Sequence, residues 1–366
     1  MRHWLVPMLA ALVTLGVVSA GCAQTAPTPT AAPTKAAAAP PTSAPAAATA
    51  APTKAPTSAP SPVPTKTVDY PATGKAVTVI VPWAAGGPTD IAARIVSSFM
   101  EKELKGSFPI VNKAGAGSQV GLTDLAKAKP DGYTIAATLQ PNTSTTYVDP
   151  DANALYSRKD FLPIAMYARD CVAIGVRADS PYKTLKDLID AAKAKPEGIK
   201  FATTGPKSPS QLGADILGKQ AGVKFATVGF DSGGQMVTAL MGGHVDVTMS
   251  NGSILAPQAK TGEIRVLAIA DKNPYKFYPN VPTLPSLGYN VNLSYSHGYT
   301  APAGTPKEIV DILMRATKAA VADAEVQKKL EELYYLPTFL GSEDYAKEWD
   351  ATEALLREGL ATAGRS

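Results

Sequence analysis

The residues with the clearest chemical potential lie in Val81-Pro-Trp-Ala-Ala-Gly-Gly-Pro-Thr-Asp90. This segment follows an apolar, β-branched run, Val77 to Val81, and precedes a stretch in which Ile91, Ile95, Phe99 and Leu104 recur at helical spacing. The run reads as a strand buried on both faces, and the periodic stretch as a helix through Lys105. Pro88 suits a helix's first turn. A strand–turn–helix unit of this kind aims backbone N–H groups and the positive end of a helix dipole at one point, which suits a carboxylate or a phosphate. Gly86 and Gly87 equally permit a tight strand-to-helix connection with no ligand. In an anion site Gly87 would let the backbone approach closely and Thr89 would offer its hydroxyl. Asp90 would be an organiser and not an anion contact, because a bare aspartate beside a carboxylate repels it. At the start of a helix its carboxylate can instead accept from backbone N–H groups and shape the turn.

Four further polar loops follow strand-like runs. They are Leu139-Gln-Pro-Asn-Thr-Ser144, Thr203-Thr-Gly-Pro-Lys-Ser-Pro-Ser-Gln211, Gly229-Phe-Asp-Ser-Gly-Gly234 and Ser250-Asn-Gly-Ser253. Any one of them is ordinary loop chemistry. Together with the opening turn they place hydroxyls, amides and backbone donors outside the carboxyl ends of strands, where ligands bind in α/β sheets.

The elements that must carry these loops alternate. Strands are expected at Pro109–Asn112, Tyr133–Leu139, Lys200–Thr203, Phe225–Val228, Val245–Met249 and Ile264–Ala270. Helices are expected at Val120–Lys129, Leu185–Lys195, Gln211–Gln220 and Gln235–Met241. The C-terminal part reads as helical over Pro306–Ala322, Glu325–Tyr334 and Ser342–Leu360, with Tyr345 and Trp349 forming an apolar stripe for docking. Such alternation predicts α/β architecture with mostly parallel sheets flanked by helices. About three hundred residues give room for two domains. Two long extended stretches, Phe161–Val176 and Tyr275–Tyr299, read as crossings between them.

Enzymatic and metal chemistry find little support. No G-x-S-x-G elbow, H-E-x-x-H helix or Walker loop is present, and Gly86-Gly87-Pro88 does not fit a dinucleotide fingerprint. Only His244 and His297 follow the first seventy residues, and no His/Cys cluster suggests a metal. No cofactor is expected. The chain has 35 basic and 31 acidic residues, but Arg2, Lys35, Lys54 and Lys66 precede Val68 and no acid does. The rest is therefore balanced, without a nucleic-acid footprint.

Location is written at the N-terminus. Arg2 and His3 precede an apolar run from Trp4 to Val18, which ends in Val-Ser-Ala-Gly before Cys22. The run is too short for a membrane span and reads as a signal peptide over residues 1–21, with Cys22 as the lipidated residue of a bacterial lipoprotein anchor. Ordinary cleavage at the small residues is the alternative. Residues 22–67, rich in Ala, Pro and Thr, can bury no core and form a semi-rigid tether. With Cys22 lipidated, Cys171 has no partner and is read as a small buried hydrophobe.

Val81–Asp90, Asn112-Lys-Ala-Gly-Ala-Gly117, Lys129-Pro-Asp-Gly-Tyr-Thr134, Leu240-Met-Gly-Gly-His-Val-Asp246, Val281-Pro-Thr-Leu284 and Ala301-Pro-Ala-Gly-Thr-Pro306 occur in order. They resemble the successive motifs of the tripartite tricarboxylate transporter substrate-binding family. The resemblance runs from about Lys75 to the C-terminus. It implies a two-lobed periplasmic-binding-protein fold of type II character that closes on a small organic acid and delivers it to membrane permease subunits. Lobe one would combine 68–171 with 289–366, and lobe two would be 172–288. A monomer is expected. The same fold could instead feed a membrane signalling receptor.

The resemblance also implies ligand contacts. On lobe one these are Trp83, Ala84, Ala85, Gly86, Gly87, Thr89 and Asp90, joined by Gln140 and Asn142 from the next loop. On lobe two they are Thr204, Gly205 and Ser208, to which the polar loops themselves add Lys207, Phe230, Asp231, Ser232, Ser250 and Asn251. Lys207 replaces a glycine of the family pattern, Gln211 stands where a histidine is usual, and Phe230-Asp231-Ser232-Gly233 takes the place of a Tyr-Lys-Gly motif. Lys207 either answers a second anionic group or is a solvated loop lysine.

Overall fold

The computed structural model describes Val68 to Ala363. The segments expected to form a signal peptide and tether, with Cys22 between them, lie outside the described residues. From the start, β1 (Thr78–Val81) is followed by α1 (Pro88–Leu104), β2 (Ile110–Asn112), α2 (Gln119–Lys127), β3 (Thr134–Gln140), α3 (Asn142–Val148) and β4 (Phe161–Arg177). Next come α4 (Leu185–Ala194), β5 (Lys200–Thr203), α5 (Pro209–Ala221), β6 (Ala226–Gly229), α6 (Gly233–Met241), β7 (Val247–Asn251), α7 (Gly252–Thr261) and β8 (Ile264–Ile269). The last elements are β9 (Ser294–Pro302), α8 (Lys307–Ala322), α9 (Ala324–Glu332), β10 (Leu336–Gly341) and α10 (Ser342–Ala363). No helix among these is long and apolar enough to cross a membrane.

The fold is α/β, but its sheet is mixed and not mostly parallel. Strands follow the order β2-β1-β3-β9-β4-β7-β5-β6, with β8 and β10 also pairing with β4. Pairing is parallel at β1–β2, β1–β3, β5–β6 and β5–β7. It is antiparallel wherever β4 or β9 takes part. The reason is β4 itself, a 17-residue strand that joins two sheets. Its first part, Phe161 to Cys171, pairs with β9, and its last part, Val172 to Arg177, pairs with β7 and β8. A strand running straight through can only be met by chains coming back. The stretch 275–299 is extended in a regular strand only from Ser294 onward.

Apolar side chains form separate clusters on the two parts of this sheet. One gathers Val77, Val79, Val81, Met100, Tyr167, Tyr299 and Leu313 around β1, β3, α1 and α8. Others gather Ile174, Phe201, Leu217 and Met249, and Cys171, Met236, Leu240 and Leu255. Cys171 is a free, fully buried thiol. The sheet thus has a first region, built on β1, β3 and β9, and a second region, built on β5, β6 and β7.

α1 is rotated relative to the expected stripe. Ala92, Ala93, Val96, Ser97 and Met100 face inward, while Ile91 is exposed and Ile95 and Phe99 are only half-buried. Small residues let the helix approach the sheet, so its larger apolar residues end on the flank. Two helices were not anticipated. α3 occupies the expected Gln140–Ser144 loop, and α7 begins at Gly252 inside the expected Ser250–Ser253 loop and contains Pro257. Both have poor intrinsic helix propensity, which tertiary packing overrides. α10 docks through Tyr345 and Trp349, both fully buried. Its later turns reach α5, where Leu356 packs with Leu212 and Val148. At Gly359 an added Cβ would stand 3.0 Å from Leu212 Cβ, so glycine permits the close crossing.

Candidate ligand-binding site

β1 is buried from Val79 to Val81 and releases the chain into a turn whose shape is held by Asp90. This side chain is 2% exposed. It accepts from the Gly86 N–H at 2.9 Å, from Arg94 Nε at 2.9 Å and from Asn112 Nδ2 at 3.0 Å. Asn112 Nδ2 also reaches the Trp83 carbonyl at 3.1 Å, and Arg94 donates to Asn112 Oδ1 at 3.2 Å. Burial works against ionisation of Asp90, but the donors from Arg94, Gly86 and Asn112 outweigh it and hold the carboxyl below its ordinary range. Gly86 has φ of 77°, the left-handed region that glycine adopts without penalty. Gly87 is the N-cap of α1 and brings no side chain to cap it. Pro88 has no N–H, so the Thr89 and Asp90 N–H groups, at the positive end of a 17-residue helix, receive no side-chain cap. The Thr89 hydroxyl lies beside them on a buried residue. Ala84 and Ala85 are exposed on the turn.

Strand register brings the remaining loops toward this level. Gln140, the last residue of β3, pairs with Ser296 of β9, which pairs with Arg169 of β4. Asn251, the last residue of β7, pairs with Val172 of β4. The carboxyl ends of strands from both regions thus meet within three residues along β4, about 10 Å at the rise of a strand. Gln140 is fully buried and its Oε1 accepts from Ser144 Oγ at 2.6 Å, while its Nε2 has no partner among the described residues. Asn142 Oδ1 and Ser250 Oγ are likewise buried and unpartnered. Unpaired buried polar atoms are costly, so three at one level point to a ligand or ordered water.

Other expected contacts are committed within the protein. Ser208 caps α5 by accepting from the Gln211 N–H at 3.2 Å, and Ser232 caps α6 by accepting from the Gln235 N–H at 3.3 Å. The Thr204 N–H donates to Ser210 Oγ at 2.8 Å, the Gly205 N–H to Thr203 Oγ1 at 3.4 Å, and the Asp231 N–H to Gln235 Oε1 at 3.0 Å. Phe230 is half-buried against the second region's core. Asn251 Nδ2 donates to Asp170 at 3.1 Å. Lys207 donates to Asp149 at 2.8 Å and Asp151 at 2.6 Å, two acids carried on the chain between α3 and β4. In this conformation its ammonium is neither solvated freely nor directed at the turn after β1.

Several residues at this level were not anticipated. Arg94 stands four residues after Asp90, the helical spacing at which acid and base meet, and so was findable. Asp170 is fully buried and accepts from the Ser253 N–H at 3.1 Å and Ser253 Oγ at 2.5 Å. Burial pushes its carboxyl up to about 7 despite these donors. Arg169 donates to Ser294 Oγ at 2.9 Å and pairs with Glu348 of α10. His297 of β9 is buried with both ring nitrogens unpartnered among the described residues, and burial lowers its pKa to about 3. No group of His, Cys, Asp or Glu able to hold a metal occurs among the described residues.

Comparison with known proteins gives this arrangement a family. The family model described as the tripartite tricarboxylate transporter family receptor matches residues 92–359. The chain belongs to that family, whose members are extracytoplasmic solute-binding receptors and not enzymes. A UPF0065 protein from the TAR-I ttuE-ttuC' intergenic region of Agrobacterium vitis is 31% identical over 278 residues, covering 73% of this chain and 77% of that protein. The crystal structure of a TctC solute-binding protein from Polaromonas matches with a TM-score of 0.71 at 27% identity, covering 80% and 99% of the two chains. MatC from Rhodopseudomonas palustris with bound malate matches at 0.66 and 27%, covering 78% and 99%. An R. palustris protein with adipate matches at 0.70 and 26%, covering 80% and 98%. The fold expected from the sequence, that of periplasmic binding proteins, is the one these neighbours have.

Proposed function

We propose that the protein captures a small carboxylate between its two regions and delivers it to the permease subunits of a tripartite tricarboxylate-type transporter. In this reading 68–171 with 289–366 form one lobe and 172–288 the other, joined through β4 and the segment entering β9. The turn after β1 supplies the carboxylate site, and Gln140, Asn142, Ser250 and the loops at Thr204–Ser208 and Phe230–Ser232 line the rest. The observation that carries this is the Asp90-held turn, which leaves the Thr89 and Asp90 N–H groups at the end of α1 without a side-chain cap. The binding of malate and adipate by structural neighbours supports the same ligand class. A thermal-shift screen of the purified chain against mono-, di- and tricarboxylic acids tests it. A ligand at a hundred times its dissociation constant adds about 2.7 kcal/mol of stability. Stabilisation by amines or neutral sugars and by no acid would refute it.

Cys22 would anchor the protein to the outer face of a bacterial membrane, with residues 23–67 as spacer. The small residues Ser19-Ala20-Gly21 before Cys22 motivate this. Cys22→Ala should release soluble protein or leave uncleaved precursor, with ligand binding unchanged. Normal processing and unchanged membrane retention of Cys22→Ala would exclude a lipid anchor.

A further inference from the structure

Lys207 occupies a turn position that suits glycine. The Ser208 N–H donates to the Gly205 carbonyl at 3.2 Å, closing a turn whose two central residues are Pro206 and Lys207. Lys207 has φ of 59°, in the left-handed region that a side chain disfavours and glycine does not. The turn itself gains nothing from the ammonium. A strained residue that its surroundings hold in place points to work done by its side chain.

That side chain reaches out of the second region. Lys207 Nζ donates to Asp149 Oδ1 at 2.8 Å and to Asp151 Oδ2 at 2.6 Å, 58 and 56 residues earlier in the chain, after α3 of the first region. Both ends of the pair are fixed. Ser208 caps α5, and Asp149 caps the short turn Pro150–Ala152 by accepting from the Asp151 N–H at 3.0 Å. Val148, next to Asp149, packs with Leu212 of α5 and Leu356 of α10, so the two regions touch here. The pair also borders a cavity of about 840 Å³ lined by Asp149, Asp151, Lys207, Asp215, Phe225 and Leu360. The Asp151 side chain is 81% exposed. Water and salt therefore reach these charges, and the pair can open without stranding an ion in the interior.

We propose that Lys207, Asp149 and Asp151 form a latch that holds the two regions closed and sets how readily the ligand leaves. This rests on the two-lobe reading and adds to it the residues that govern closure. Exposed ion pairs are individually weak, but an equilibrium between open and closed states of similar energy responds to a small bias. One lysine on two acids retains a ligand without trapping it.

Distance measurements between two spin labels test this without any ligand. The labels replace the exposed Lys127 on α2 (Lys127→Cys) and Lys260 on α7 (Lys260→Cys), in the chain carrying Cys22→Ala, where the buried Cys171 stays unlabelled. At about 50 mM salt the ratio of closed to open distances should fall about two- to fivefold in Lys207→Gly, whose turn is kept because glycine accepts its φ. Lys207→Glu should lower it further, and combining Lys207→Glu with Asp149→Lys and Asp151→Lys should restore at least about half of the wild-type ratio. Salt of about 1 M should lower the wild-type ratio and leave Lys207→Gly unmoved. Thermal melts report that each variant is folded. An unchanged ratio in Lys207→Gly, or a single distance in every variant at both salts, overturns the latch and leaves the carboxylate site standing. Failure of every acid to bind, with the ratios moving as expected, removes the carboxylate site and keeps the latch.

Discussion

The turn after β1 and the turns before α5 and α6 are built from the same vocabulary of glycine, serine, threonine and a helix start. In the second region Ser208 and Ser232 spend their hydroxyls on their own helices, and Lys207 spends its charge on Asp149 and Asp151. In the first region the cap position is Gly87, which has nothing to spend, and the acid that could have capped the helix folds back onto Gly86, Arg94 and Asn112. One set of helix ends is closed and the other is left open for an outside acceptor. Chemistry that looks alike in sequence is thus divided by where each side chain is satisfied. In the proposed reading the open end takes the carboxylate, and the closed ends shape the wall opposite.

The largest test of this contrast is Gly87→Val. An added Cβ at Gly87 would stand 3.3 Å from the Ala84 carbonyl, and the larger side chain would cover the free N–H groups. Acid binding should fall below detection in calorimetry while circular dichroism and the melting curve stay close to wild type. An equivalent block by Gly233→Val, at the start of α6, with Gly87→Val still binding, would reverse the assignment of the two regions.

Asp90→Asn should weaken acid binding by about 1–2 kcal/mol, the worth of charge-assisted hydrogen bonds to Gly86 and Arg94. Titration calorimetry reads this directly. Several-fold tighter binding would mean that Asp90 repels the ligand and does not hold the turn.

The junction between the regions offers a pH test. His297, lowered to about 3, is neutral in the fold but takes a proton in the unfolded chain below about pH 6.5, so its contribution to stability rises with pH from about 4 to 6.5. Asp170, raised to about 7, keeps a proton in the fold that the unfolded chain releases above about pH 4, so its contribution falls as pH rises toward 7. The two oppose each other across that window. Removing one by Asp170→Asn should expose a slope of up to about 1.4 kcal/mol per pH unit, stability rising with pH, in urea unfolding at pH 4.5 and 6. A variant slope no more positive than that of wild type would show that Asp170 keeps no extra proton in the fold, and a variant whose stability does not rise with pH would show that His297 is not held neutral.

The smallest effect belongs to Lys207→Met. Its ion pairs are partly exposed, and such pairs contribute little. Acid affinity should change only a few-fold, equally for mono- and dicarboxylates. A loss confined to dicarboxylates would show that Lys207 leaves Asp149 and Asp151 to meet a second anionic group.

The β1–turn–α1 unit was legible because each signal was local: a β-branched run, Gly-Gly-Pro, then helical spacing. The organiser position of Asp90 followed from electrostatics alone. What could not be read required distance. Nothing near Lys207 announced Asp149 and Asp151, more than fifty residues earlier in the chain. The mixed sheet was hidden because a strand's direction depends on its neighbours, and β4 reads the same whether it is met by parallel or antiparallel chains. α3 and α7 were missed because Thr- and Ser-rich Asn142–Val148 and Gly252 with Pro257 are poor helix formers, held in place by packing. His297 was visible as a residue, but only the register of β9 against β3 and the seat of Tyr299 under α1 give it a level in the fold.

The most direct test of the account is a crystal structure of the chain with a bound carboxylic acid found in the screen. The account predicts one carboxylate with its oxygens about 3 Å from the Thr89 and Asp90 N–H groups and from the Thr89 hydroxyl, with Asp90 still bonded to Gly86 and Arg94. A carboxylate seated on Ser208 or Ser232, with the turn after β1 untouched, would contradict it.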